Sequence, residues 1–338
     1  MIPARLHRPA WLGLALFLAG CAGNTTIAPV PPLPRPAMPA AQPDGPSQAE
    51  LRKARAERNQ AVNATAAVVQ ASASATSETR RAQYASAERD LLAQGRLRRD
   101  RVPMDAPIDA ALLVRNFIEI ALRDEYSRQG DRLVADARDA PLRRWTDAVS
   151  IQLEFGPSAD TALRRAYRAE VASFAGRLTR ATGHPVGLTG SDGNFLVLVL
   201  NEDERRNILP LLERLVPELP QQDRIALRDL DPQNYCAVFA YSRGHSSAYV
   251  RAVALMRAEL PSLLRSSCIH EELAQGMGLA NDSPAARPSI FNDDEEFALL
   301  TRHDELLLKI LYDPRLRPGM TQGEARPIVR KIVAELLG

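Results

Sequence analysis

The sequence predicts an α+β domain with a mixed sheet and one helix that carries a cluster of polar motif residues. Residues 194–201 form a nearly continuous apolar run, which is typical of a buried strand. Residues 109–126 and 160–183 repeat their apolar positions with the 3.6-residue period of helices. The predicted order is helix, strand, helix, three or four strands, motif helix, loop and two helices, and this irregular order indicates the α+β class.

Composition divides the chain of 338 residues into four segments. They are a targeting segment at 1–20, a proline-rich tether at 21–46, an Ala-rich helix at 47–100 and the α+β domain at 108–338. Eight prolines in the tether favour an extended polyproline conformation. The Ala-rich segment is expected to be a solvated helical stalk, with a weak coiled coil and a partner-binding helix as the alternatives.

The first residues predict a lipid anchor. A basic start and a short apolar run lead into "LAGC", which resembles the lipobox of bacterial lipoproteins. The resemblance implies cleavage before Cys21, acylation of its thiol and attachment to a membrane through the lipid. Ala22, in place of Asp, implies the outer membrane of a Gram-negative cell, facing the periplasm. A plain secretory signal is the alternative. The net charge of +2 gives no reason to expect a nucleic-acid partner.

Two cysteines remain once Cys21 carries lipid. Thiols in an oxidising compartment pair, so a disulfide between Cys236 and Cys268 is predicted. Two buried free thiols are the alternative.

The stretch "CIHEELAQGMGLAND", residues 268–282, begins like the zinc-protease motif H-E-x-x-H but lacks its second histidine. The residue four positions after His270 is Ala274, which cannot bind a metal. Glu271 and Gln275 do have the spacing of i and i+4, which places both side chains on one face of a helix.

Shifted by one residue, the stretch resembles the metzincin signature H-E-x-x-H-x-x-G-x-x-H. In this frame Glu271, Gln275 and Asn281 stand at the three metal-ligand positions, and Asp282 is adjacent. Glu272 stands at the position of the general base. The resemblance implies a zincin fold in which all three ligand histidines have been replaced.

Downstream residues extend this resemblance over about 145–313. "SIF" at 289–291 is similar to the turn beneath the metal of matrix-type metzincins, and 299–313 is similar to their last helix. In that helix Asp304 holds a fixed structural position, and His303 is expected at the surface. The text "C..EE..Q..GL.ND…PSIFND" is also similar to a family of bacterial secreted proteins and lipoproteins classed as a domain of unknown function. The acidic residues 293–296 are expected at a helix N-terminus.

The replaced ligands decide what function to expect. Gln275 and Asn281 offer neutral oxygens, which suit a weakly held divalent cation better than zinc, so no tightly bound cofactor is expected. Without a strong Lewis acid, Glu272 has no activated water to deprotonate. The sequence thus favours a non-catalytic domain that binds an envelope partner or acts as a scaffold. An active metal-dependent hydrolase with Glu, Gln and Asn or Asp ligands is the alternative, and a chance string on a surface helix is the third hypothesis.

Overall fold

The structure is a computed structural model that describes residues 50, 52–60, 75–129, 132–292 and 294–338. Residues 50 and 52–56 are helical and belong to one unit of the chain. The second unit begins at residue 57 and contains all the elements below. Cys21, the tether and part of the predicted stalk lie outside the described residues.

The second unit combines helices with a mostly parallel sheet, which confirms a mixed fold of both element types. The helices are α1 (Ala75–Ala93), α2 (Ala110–Ala121), α3 (Thr161–Thr182), α4 (Glu202–Arg206), α5 (Leu209–Leu215), α6 (Gln221–Arg228), α7 (Ser262–Gln275), α8 (Arg302–Leu311) and α9 (Gln322–Leu337). The strands are β1 (Arg123–Gln129), β2 (Arg132–Asp139), β3 (Arg144–Trp145), β4 (Val149–Phe155), β5 (Val186–Thr189), β6 (Phe195–Leu200), β7 (Cys236–Ser242) and β8 (Ala248–Arg257).

The main sheet has the strand order β3-β8-β6-β4-β5, and each neighbouring pair along this path is parallel. Strand β7 pairs with β8 and is antiparallel to it, so the sheet is mixed as expected. Strands β1 and β2 form a separate antiparallel hairpin. The sheet positions α7, because this helix follows directly from the central strand β8.

Strand β6 is buried on both faces, which explains its unbroken apolar sequence. Phe195, Val197 and Val199 belong to the core shared with α3, α7 and α8. The residues between them, together with Leu200, pack under α5 and α6 in a second core. A strand covered on both faces needs no alternation of polar and apolar residues.

Local signals set the ends of the helices around the sheet. The Asp160 carboxylate accepts a hydrogen bond from Leu163 N at 2.7 Å and so caps α3. Gly183 ends α3 with φ of 69°, a left-handed conformation that glycine adopts at little cost. Thr301 forms a capping box with Asp304 at the start of α8.

Helix α1 lies within the segment 47–100 and packs on the domain. Tyr84 is buried beside Leu263, Leu264 and the Cys268 half-cystine in a third apolar cluster. The Tyr84 hydroxyl donates to Pro232 O at 2.9 Å. This part of the predicted stalk is therefore a docked helix with one covered face.

Three expectations about local structure were wrong. The helical pattern at 109–126 extends too far, because α2 ends at Ala121 and the polar stretch from Arg123, which gave no strand signal, begins β1. The stretch 201–216 has the composition of a single helix, but it is divided into α4 and α5 because Pro210 stands in the first turn of α5. The acidic residues 294–296 do not begin a helix, since α8 starts only at Arg302. Among the described residues, no helix has both the length and the apolar character needed to cross a membrane.

Candidate functional site

The motif helix α7 is fixed at its beginning by two long-range contacts. The Glu88 carboxylate of α1 accepts hydrogen bonds from Leu263 N at 2.9 Å and Leu264 N at 3.0 Å. These backbone groups have no partner within their own helix. The Cys236–Cys268 disulfide joins α7 to β7 with 5.9 Å between the Cα atoms. This disulfide confirms the pairing predicted from the sequence.

The turn after α7 is held equally firmly. Trp145 Nε1 donates to Gly276 O at 2.8 Å, and the Tyr312 hydroxyl donates to Met277 O at 2.9 Å. Gly278 has φ of 124°, and a Cβ there would lie 2.3 Å from Arg143 O. Only glycine fits this approach of two backbones. Gly278, which stands at the glycine position of the metzincin signature, is therefore required by packing, whatever the chemistry of its neighbours.

The predicted ligand residues do not meet at one point. Gln275 Nε2 donates to Asp282 Oδ1 at 3.1 Å, so these two side chains do lie together. Asn281 points elsewhere: its Nδ2 donates to Glu119 O at 2.8 Å and its backbone N–H to Ile120 O at 3.1 Å. Asn281 thus serves the carbonyl groups at the C-terminal end of α2.

The two glutamates of the motif lie near the disulfide. Ligand atoms of Glu271, Glu272 and Cys236 lie within 4.8 Å of one another. The sulfur of Cys236 is bonded to that of Cys268, and a sulfur in a disulfide is not the thiolate that binds zinc. Glu272 is 4% exposed, so the candidate general base is largely covered.

The residues at the three ligand positions do not fit a zinc ion. Zinc is bound by thiolates, imidazoles and carboxylates in a closed tetrahedral set. Only Glu271 offers such a group, while the amides of Gln275 and Asn281 donate hydrogen bonds to oxygens of the chain itself. No catalytic step through a bound metal follows from this arrangement.

His270 is a neutral packing residue. Its ring stacks on Phe174 with 4.1 Å between ring centroids, and its Nδ1 accepts a hydrogen bond from Leu300 N at 3.0 Å. Burial, together with the nearby Arg177, lowers the pKa of His270 to about 3. The imidazole therefore anchors α7 to the segment before α8 and carries no charge near pH 7.

Asp304 fixes the turn at 288–291, which contains the "SIF" segment singled out in the sequence. Ser289 Oγ donates to Asp304 Oδ1 at 2.6 Å, and Thr301 N donates to Asp304 Oδ2 at 2.8 Å. His303, expected at the surface, is fully buried. It is covered because α2 packs on α8, where Asn116 Nδ2 donates to His303 Nε2 at 3.0 Å.

Comparison with known families identifies most of the chain. The model of a family described as "Protein of unknown function (DUF2927)" matches residues 110–331. The chain belongs to this family. The search with this chain found no matching curated protein and no matching solved structure. The DUF2927 domain thus begins at α2 and ends within α9.

Two charged clusters in the DUF2927 domain were missed by the sequence analysis. One is a buried network around Glu202, between β6 and β8. The sequence does contain an indication of this network. Arg257 is the last residue of an apolar strand, and a buried arginine requires a partner of opposite charge. The other is a basic pocket between α3 and α8. Its signal was Arg177 and Arg180, whose spacing of three residues places both on one face of α3.

Proposed function

We propose that this protein is a lipid-anchored envelope protein whose metzincin-like domain binds a partner or acts as a scaffold without catalysing hydrolysis. Support for the metzincin-like part comes from the order of elements. A mixed sheet leads into the motif helix α7, then into the turn at 289–291 held by Asp304, and then into α8. This is the order that the metzincin resemblance implies.

One observation carries the non-catalytic reading. At two of the three ligand positions neutral amides replace histidines, and the amide N–H groups of Gln275 and Asn281 bond to different parts of the chain, Asp282 and Glu119 O. In addition, Trp145 and Tyr312 hold the turn of the motif in place, as a structural element requires. The motif helix then serves to organise the domain around the disulfide, and function resides in a surface that recognises another envelope component.

Metal content tests the non-catalytic part of the proposal. The full chain, purified without chelator, is expected to contain no stoichiometric metal, and Glu271→Ala/Gln275→Ala is expected to give the same elemental analysis. The physical reason is that one carboxylate and two neutral amides lack the thiolate, imidazole and carboxylate ligands that zinc needs.

Stoichiometric metal that disappears in this variant would contradict the proposal and support the alternative of a metal-dependent hydrolase. Peptide hydrolysis would then be measured with Glu272→Gln as the inactive control, because that substitution removes the base while it keeps the size of the side chain.

Fractionation of Gram-negative cells tests the anchor. The wild-type chain is expected in the outer-membrane fraction, and Cys21→Ser in the soluble periplasmic fraction, because the variant lacks the thiol that would carry the lipid. Ala22→Ser is the matched control and is expected to stay with the outer membrane. Ala22→Asp is expected to move to the inner membrane by the sorting rule. Wild-type protein in the soluble fraction would show that the segment is a plain secretory signal.

A further inference from the structure

A basic pocket of about 440 Å³ lies between α3 and α8. None of its lining residues belongs to the motif helix. Its charged lining consists of Arg101, Arg177, Arg180, Arg302, Lys309 and Glu305. Five cations therefore face one carboxylate, in a chain whose total formal charge is only +2.

Glu305 organises part of this lining. The side chain is only 9% exposed, and its Oε1 lies 2.9 Å from Arg177 Nε. Arg101 also forms an ion pair with Glu305, and Arg302 Nη1 lies 3.6 Å from it. Burial would raise the pKa of Glu305, but the two arginines Arg101 and Arg177 hold it below its usual range. The carboxylate therefore stays ionised and holds these guanidinium groups around the pocket.

Two further cations of the pocket are not compensated. Arg180 on α3 and Lys309 on α8 are exposed. Within the ranges that the structure describes, neither takes part in an ion pair or a hydrogen bond. Glu305 can neutralise one positive charge, so the pocket keeps an excess of several. Like charges held close together repel one another, and an anion with more than one charge would remove that repulsion.

We propose that this pocket binds a phosphate group with two negative charges, carried by a small soluble molecule or by a lipid headgroup. Guanidinium groups match phosphate oxygens with paired hydrogen bonds, and a lysine adds a mobile point charge. The volume suits a small ligand. A phosphate group carries two negative charges in a volume small enough for cations from both helices to reach. Two separate carboxylates would place the same charge farther apart. This phosphate site does not depend on whether the metzincin-like motif binds a metal.

Calorimetric titration of the full chain with pyrophosphate tests the proposal. Saturable binding at one site is expected in low salt, with weaker binding at about 0.15 M salt because the site is open to solvent. Arg180→Ser/Lys309→Ser is expected to lower the affinity by about tenfold or more, since it removes two charged donors that form no ion pair or hydrogen bond among the described residues. The control Arg165→Ser/Lys331→Ser removes the same charge from exposed positions on α3 and α9 and is expected to change the affinity less than about twofold.

A second probe separates the two sources of the phosphate. Short-chain phosphatidic acid, used below the concentration at which it forms micelles, presents the headgroup in soluble form. Tighter binding of this lipid than of pyrophosphate would identify a headgroup site, and the reverse would identify a soluble ligand; both support the proposal. It is overturned if neither probe saturates, or if the control loses as much affinity as the pocket variant, because binding would then follow net charge alone.

Discussion

Replacing Glu202 with Gln is expected to lower the free energy of unfolding by about 3 to 5 kcal/mol, the loss that follows when one partner is removed from a buried ion pair. The Glu202 side chain is fully buried. Its Oε1 lies 2.9 Å from Arg205 Nη2, and its Oε2 lies 2.7 Å from Arg257 Nη1. Both arginines are buried as well, so the neutral amide would remove the carboxylate that forms an ion pair with each of them.

The location of Glu202 explains why the effect should be global. Leu200, near the end of β6, pairs with Arg257 at the end of β8, and Glu202 begins the helix that follows β6. The ion pair therefore joins the ends of two central parallel strands. Arg257 also donates to Leu230 O and Asp231 O, which fixes the segment after α6. Loss of the carboxylate is therefore expected to weaken the contacts at the C-terminal ends of β6 and β8 and in the segment after α6.

Urea denaturation measures this effect, with Glu213→Gln as the control. Glu213 is an exposed carboxylate on α5, and its replacement is expected to change the free energy of unfolding by less than about 0.5 kcal/mol. A loss below about 1 kcal/mol for Glu202→Gln would show that water or another group compensates the two arginines, contrary to the structure.

The pH dependence of stability has a definite sign at this site. Burial alone would raise the pKa of Glu202, but Arg205 and Arg257 lower it to about 2. Because the folded pKa is below the unfolded value of about 4.5, the ion pair contributes fully at higher pH, and its contribution is lost as the pH falls towards 2. Glu202→Gln should lack this part of the acid sensitivity.

Elements with a strong local signal were predicted well. Strand β4 at 149–155 follows the alternating apolar residues of "VSIQLEF", and β6 matches the apolar run at 195–200. Helix α3 ends at Gly183, which adopts the left-handed conformation. A glycine at the end of a helical pattern is a sequence signal for such an end. Alternating apolar residues in β4, the unbroken apolar run in β6 and the glycine after α3 are all signals that lie within a few residues of sequence.

Features that depend on distant segments were not predicted. The β1–β2 hairpin consists largely of polar residues, so the pattern of the chain gives no period of two. His303 looks like a surface residue until α2 packs over α8 and supplies Asn116. Tertiary contacts of this kind override local patterns, because a buried polar side chain is allowed wherever a partner is brought to it.

The candidate site shows the same limit. The spacing of Glu271 and Gln275 correctly places them one helical turn apart on α7, but it does not reveal what each side chain contacts. Asn281 bonds to carbonyls of α2, which lies about 160 residues earlier in the chain. The disulfide could be predicted because only two cysteines remained to pair.

Removal of that disulfide is the second large effect. Cys236→Ala/Cys268→Ala is expected to lower the free energy of unfolding by about 3 to 4 kcal/mol, because the bond closes a loop with a sequence separation of 32 and restricts the unfolded chain. Chemical denaturation measures the loss. The wild type with a dithiol reductant should approach the stability of the variant, while the same reductant should leave the variant unchanged. Equal stability of wild type and variant would contradict the pairing of these cysteines.

Metal uptake by the same proteins decides what the disulfide does for the motif helix. In the oxidised wild type, the Cys236 sulfur lies within 4.8 Å of the ligand atoms of Glu271 and Glu272 but is blocked by its bond to Cys268. If the reduced wild type takes up no zinc, the bond acts only as a covalent link between β7 and α7, as a scaffold requires. If the reduced wild type binds zinc and the double variant does not, the thiolates and glutamates form a site that oxidation closes. The non-catalytic proposal expects the first result, because it assigns α7 to holding the domain together.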